Sequence, residues 1–124
     1  MLARLEQRAK LTQIPKTALA NRYVEEGLAM DLYPGIVFRD GPAGRRPAVM
    51  GGPDVWEVIE VFVAEDRDVR AAAEHLNLRP GLVDAAIAYY ADNRETIDDF
   101  IEANRTMMED GAAAFARQRA VRDT

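Results

Sequence analysis

The chain has 124 residues, no cysteine and a net charge of −5, a length that supports one compact core rather than two. Its 48% apolar content excludes wholesale disorder. The missing cysteines exclude a disulfide framework, a thiolate metal site and a thiol nucleophile, and fit a reducing cytoplasm.

In chain order, residues 2–11 place Leu2, Leu5 and Ala9 near one stripe and predict a helix. Pro15 disfavours a helical Ile14 and opens the next helix. That helix covers 16–30 with Leu19, Tyr23, Val24, Leu28 and Met30 in helical period, so the two helices form a tight hairpin. Tyr33-Pro34-Gly35 ends the unit. Residues 36–38 and 47–50 read as the strands of a short β-hairpin, with the turn-rich 39–46, including Asp40, Gly41 and Gly44, as its loop.

A helix over 54–64 follows, with Asp54 as its N-cap and Glu57 completing a capping-box-like pair. It is expected to bury Val55, Trp56, Ile59, Phe62 and Val63. Asp68 caps a short helix over 69–76, and Pro80 opens another over 80–91. Two helices joined by a tight turn make a helix-turn-helix pattern, with Ala71, Ala72 and Leu76 expected to pack on Val83, Ile87 and Tyr90. A longer helix runs from Asn93 or Arg94 towards Ala120. Ile97, Phe100, Ile101, Asn104, Met107, Met108, Gly111 and Phe115 mark one of its faces at steps of three and four.

The expected fold is therefore mainly α. A helical hairpin (1–32) is followed by a domain of β-hairpin plus homeodomain-like helix-turn-helix bundle (33–100), and then by a long carboxy-terminal helical tail (101–124).

The residues offer no catalytic constellation, no cofactor motif and no metal-ligand spacing. His75, the one histidine, has no marked partner for nucleophilic catalysis. Asp66/Asp68 and Asp98/Asp99/Glu102 lack the glycine loop of a calcium site and read as solvated faces. The glycines at 41, 44, 51 and 52 do not form a phosphate-binding fingerprint. The pattern points away from an enzyme and towards a binding module.

Charge is unevenly placed. Residues 1–46 carry eight Lys/Arg against five acids, and residues 47–124 carry eight against sixteen. Phosphate neutralisation dominates affinity for nucleic acid, so any DNA contact would come from the amino-terminal third. The second helix of the helix-turn-helix offers Asp84 and tyrosines rather than the Arg, Lys, Asn or Gln of a major-groove reader, which leaves a packing unit without DNA contact equally open. No apolar run reaches membrane-spanning length, and a cytoplasmic location is expected.

The runs YPGIVFRDGPAGRRPAVMGGPDVWEVIEVF and DVRAAAEHLNLRPGLVDAAIAYYADNRETID resemble the family called domain of unknown function 433. Gly52, Val55, Trp56, Ile59, Val83, Ala86, Tyr89, Tyr90, Glu95 and Ile97 stand where its pattern of hairpin, helix start and Tyr-Tyr-x-x-x-x-Glu-x-Ile closing helix expects them. The resemblance covers over half the chain. It implies a homeodomain-like helix-turn-helix and the role of a type II antitoxin, commonly paired with a toxin of the PIN-domain ribonuclease type. The first thirty residues separately resemble the two helices of a ribbon-helix-helix protein, without the strand that precedes them in that fold.

These readings predict an antitoxin-like regulator that is a homodimer, binds and neutralises a cognate toxin, and binds its own operator DNA. Alternatives are a stand-alone DNA-binding transcriptional regulator and a dimerisation module without DNA contact. The expected DNA-binding residues are Lys16, Thr17, Arg39, Arg45, Arg46 and Arg79. The expected partner-binding residues are Ile101, Met107, Met108 and Phe115, with Arg117, Arg119 and Arg122 reaching into an acidic nuclease site.

Overall fold

The computed structural model describes residues 1–42 and 44–124, which form six helices and one antiparallel hairpin. Helices α1 (Leu2–Thr12) and α2 (Lys16–Leu32) make a helical hairpin, and strands β1 (Ile36–Gly41) and β2 (Gly44–Val49) pair with each other. Helices α3 (Val55–Ala64), α4 (Val69–Leu76) and α5 (Pro80–Asp92) pack mutually, and α6 (Arg94–Arg122) closes the chain against α3 and α5. The fold is mainly α, in the expected order of elements.

Local chemistry sets the boundaries. Gln13 ends α1 in the left-handed region at φ 59°. Gly35, at φ 100°, lets the chain leave α2 close against α5, where a Cβ would stand 3.1 Å from Leu82 Cδ2. Helices α3 and α4 both end with the backbone N–H five residues on closing the last turn, Arg67 to the Phe62 carbonyl at 2.9 Å and Leu78 to Ala73 at 2.8 Å. Asp68 caps α4 as expected, its Oδ1 accepting from the Ala71 N–H at 3.1 Å.

One core joins the hairpin to the helices. Ile36 and Val49 meet Val55, Val58 and Ile59 of α3, Ala72 and Ala73 of α4, Val83, Ala86 and Tyr89 of α5, and Ile97 of α6. Two alanines on α4 let it cross α3 and α5 closely. Leu19, buried between α1 and α2, lies outside this cluster.

The structure corrects four local expectations. The hairpin ladder extends to Gly41 opposite Gly44, so residues 39–41 and 44–46 are strand rather than loop. In that register the arginines gain carboxylate partners. On α3 the buried face is Val55, Val58 and Ile59, with Trp56 and Phe62 packed partly against the core, while Val63, in the last turn, is exposed. On α5 the buried tyrosine is Tyr89, in step with Val83 and Ala86, while the expected Ile87 and Tyr90 pack on the core only in part. Tyr90 lies one position round the helix, where its hydroxyl donates to Asp98 Oδ1 at 2.7 Å. Finally, Asp54 occupies the N-cap of α3 but makes no side-chain cap bond; its carboxylate is engaged elsewhere.

Candidate interaction surfaces

Arg39 and Arg46 stand directly opposite each other across the hairpin, a pairing in which like charges repel. Asp54, with only 7% of its side chain exposed, resolves the repulsion. Arg39 Nη2 donates to Asp54 Oδ1 at 3.2 Å and to the Gly52 carbonyl at 2.6 Å. Arg46 reaches Asp54 Oδ2, to which Trp56 Nε1 also donates at 3.1 Å. Arg45 alternates to the other face and forks onto Glu26 of α2 at 2.9 and 2.7 Å. Glu26 is 9% exposed. The Glu26 hydrogen bonds, more than any other influence, hold the Arg45 pKa above its ordinary value.

Three of the six residues expected at DNA are thus engaged with buried carboxylates of the chain. The other three are exposed but not assembled: Lys16 and Thr17 begin α2, which packs on α1 and β1, whereas Arg79 sits in the α4–α5 turn. Lys16 is 3.3 Å from Glu6 in a solvated pair of little energetic weight. The exposed side of α5 presents Gly81, Asp84, Ala88, Ala91 and Asp92, with no cation to read a base edge.

Behind the Glu26–Arg45 pair lies an open cleft of about 540 Å³ between α2, the hairpin and the start of α6. Its aromatic wall is Tyr33 edge-on to Tyr89, with ring centroids 5.3 Å apart, and Phe38 edge-on to the same ring at 6.1 Å. The Tyr33 hydroxyl donates to Asp92 Oδ2 at 2.5 Å, which raises the Tyr33 pKa. Burial, then the Glu26 charge, raises that of Tyr89. These contacts tie α2 to α5. The lone histidine is remote in role: His75 Nδ1 meets Glu65 Oε1 at 2.9 Å on the surface, joining the end of α3 to α4.

Exposed apolar side chains also line α6. Ile97 is fully buried, and Phe100 and Ile101 pack on the core, but Ile101 is the last α6 side chain to do so. Residues 105–113 are all exposed, as are 115–124. Met107 is 67% exposed, Met108 66%, Phe115 58% and Val121 76%. At 1.5 Å per residue the helix continues for about 30 Å past Ile101. Arg117, Arg119 and Arg122 line its end, all exposed, with only Arg119 held near Asp123 at 3.9 Å. Partner-facing residues expected from sequence therefore share one free helical arm, except Ile101, which anchors its base.

A second apolar surface lies outside the residues expected from sequence to bind a partner. Leu2, Leu5, Ala20, Tyr23 and Val24 line a groove of about 330 Å³ between α1 and α2, rimmed by Arg4 and Arg8. No residue of α1 is buried, and α1 packs only on α2. The signal was present in the doubled helical stripes, since two short helices with apolar faces and one buried leucine between them leave apolar surface over. The Glu26–Arg45 pair had no such signal; an acid in a helix reads as solvated unless a partner is seen.

Among the described residues, no three His, Cys, Asp or Glu gather as a metal site, and no helix is long and apolar enough to cross a membrane. Fold and surfaces together define a small, mainly helical protein whose last helix runs on past the core with its side chains exposed. Comparisons with protein-family models, with curated proteins and with solved structures give no match.

Proposed function

We propose that the chain is an antitoxin-like regulator that neutralises a nuclease toxin by laying the free arm of α6 into a groove on that partner. The observation that carries this reading is a helix that leaves the core after Ile101 yet stays helical to Arg122 with Met107, Met108 and Phe115 exposed. An isolated helix of this length is marginal in water and gains most from packing an apolar face. Burying each of the three large side chains contributes about 1.5–3 kcal/mol, enough for specific binding once ordering costs are met.

Beyond the stripe, Arg117, Arg119 and Arg122 are placed to enter an acidic active site, where a guanidinium forks onto carboxylates and competes with their metal. Operator binding is the weaker half of the reading, because Arg39, Arg45 and Arg46 are committed to Asp54 and Glu26. The test is co-expression with the product of the adjacent reading frame, followed by affinity measurement on the purified pair. Met108→Asp or Phe115→Asp is expected to weaken the complex by about 30-fold or more, the mark of a hot spot. Unchanged affinity in both variants rejects α6 as the binding element.

A further inference from the structure

Gly111 lies at the centre of the exposed stripe, and nothing in the single chain accounts for it. A Cβ added there would meet no atom within 4 Å, and glycine in a helix interior is unfavourable relative to alanine. A glycine facing outward from a helix becomes useful when a second backbone must approach closely. The stripe around it is also nearly palindromic. Reflected about Gly111, Met108 falls opposite Ala114, Met107 opposite Phe115, and Asn104 opposite Gln118. Apolar meets apolar, large meets small or aromatic, and amide meets amide.

Charge selects the direction of such a pairing. Within α6, the part before Gly111 carries Arg94 and Arg105 against Glu95, Asp98, Asp99, Glu102, Glu109 and Asp110, whereas the part after it carries Arg117, Arg119 and Arg122 and no acid. Parallel helices would set like charge on like. Antiparallel helices lay the net-positive end of each along the net-negative stretch of the other, with Arg119 and Arg122 falling opposite Ala103 and Phe100 beside Asp99 and Glu102 and with Arg117 opposite Arg105, and they also oppose their dipoles. We infer that two copies of this chain pair through α6, antiparallel, about a two-fold axis at Gly111, with Met107, Met108, Ala114 and Phe115 as the seam. The interface is isologous, as closed dimers require. This rests on taking α6 as a binding helix, and it makes self-pairing and toxin binding competitors for one stripe.

The test uses the full chain. Sedimentation equilibrium should give a dimer that Met107→Lys with Met108→Lys turns into a folded monomer, because both side chains are solvent-facing in the single chain, and the Tm of the variant, unlike that of the parent, should not depend on concentration. Gly111→Leu should also give a monomer while raising helicity, since leucine favours the helix but holds the backbones apart. The chain has no native cysteine, so register can be read by thiol cross-linking. Met108→Cys mixed with Ala114→Cys should cross-link with a short bismaleimide far better than either alone. A monomeric wild type, a dimer that survives the lysine pair or Gly111→Leu, or equal cross-linking of Met108→Cys with itself overturns the inference. Affinity for the adjacent-frame product is measured separately on the wild-type chain, so failure of self-pairing and failure of partner binding are read independently.

Discussion

The Glu26–Arg45 pair makes a sharp energetic prediction because its two partners are unequally buried. Glu26 is 9% exposed, while the Arg45 side chain is 29% exposed and keeps Asp40 at 3.5 Å. Arg45→Ala leaves a buried carboxylate uncompensated, which costs about 3–5 kcal/mol. Glu26→Ala leaves a guanidinium that can turn towards water and Asp40, and costs about 1–2 kcal/mol. Replacing both at once, Glu26→Met with Arg45→Leu, removes the charges together and should stay within about 1 kcal/mol of the parent or above it. A domain of this size has roughly 5–15 kcal/mol of stability in all, so the differences are measurable by urea unfolding followed through Trp56, the sole tryptophan. Equal costs for the two single variants, or a double variant worse than Arg45→Ala, would refute the reasoning. A loss of DNA binding without loss of stability in Arg45→Ala would show instead that the guanidinium is free.

Asp54→Ala should cost about 3 kcal/mol by releasing the opposed Arg39 and Arg46 and should shift Trp56 emission. Glu57→Ala, at the site of the expected capping box, should change stability by no more than about 0.5 kcal/mol; chemical denaturation separates the two. In alkali, the raised pKa values of Tyr33 and Tyr90 (chiefly hydrogen bonds to Asp92 and Asp98) and of Tyr89 (chiefly burial) favour the neutral phenols in the folded state. Their contribution to stability is complete below the unfolded value of about 10 and is lost as pH rises through the folded values. Tyrosinate absorbance should therefore develop at higher pH in the folded chain than in urea, and titration at the same pH would contradict the assigned contacts.

The regular elements were legible because their signals are local. Periodicity located every helix, and Pro15, Asp68, Asn77 and Pro80 punctuate them through backbone chemistry that needs no tertiary context. The hairpin was legible as a turn but not in length, since what carries its ladder to Gly41 and Gly44 is the meeting of Arg39 and Arg46 with Asp54, residues eight to fifteen positions apart. The carboxylate partners of Arg39, Arg45 and Arg46 were illegible for the same reason: composition records a charge, not its partner. Met107, Met108 and Phe115 were legible as one stripe through their helical spacing, and the structure leaves all three exposed. Which of Tyr89 and Tyr90 is the more buried was not legible, because adjacent residues on a helix differ by about 100° in direction and both touch the core.

The claim that α6 is the arm by which this chain holds another protein is tested most directly by titrating the purified adjacent-frame product with wild-type chain and with Phe115→Asp. Phe115 is 58% exposed and outside the core, so the variant should keep the Tm of the parent and lose about 30-fold or more in affinity. A variant that binds as tightly as the parent would contradict the account.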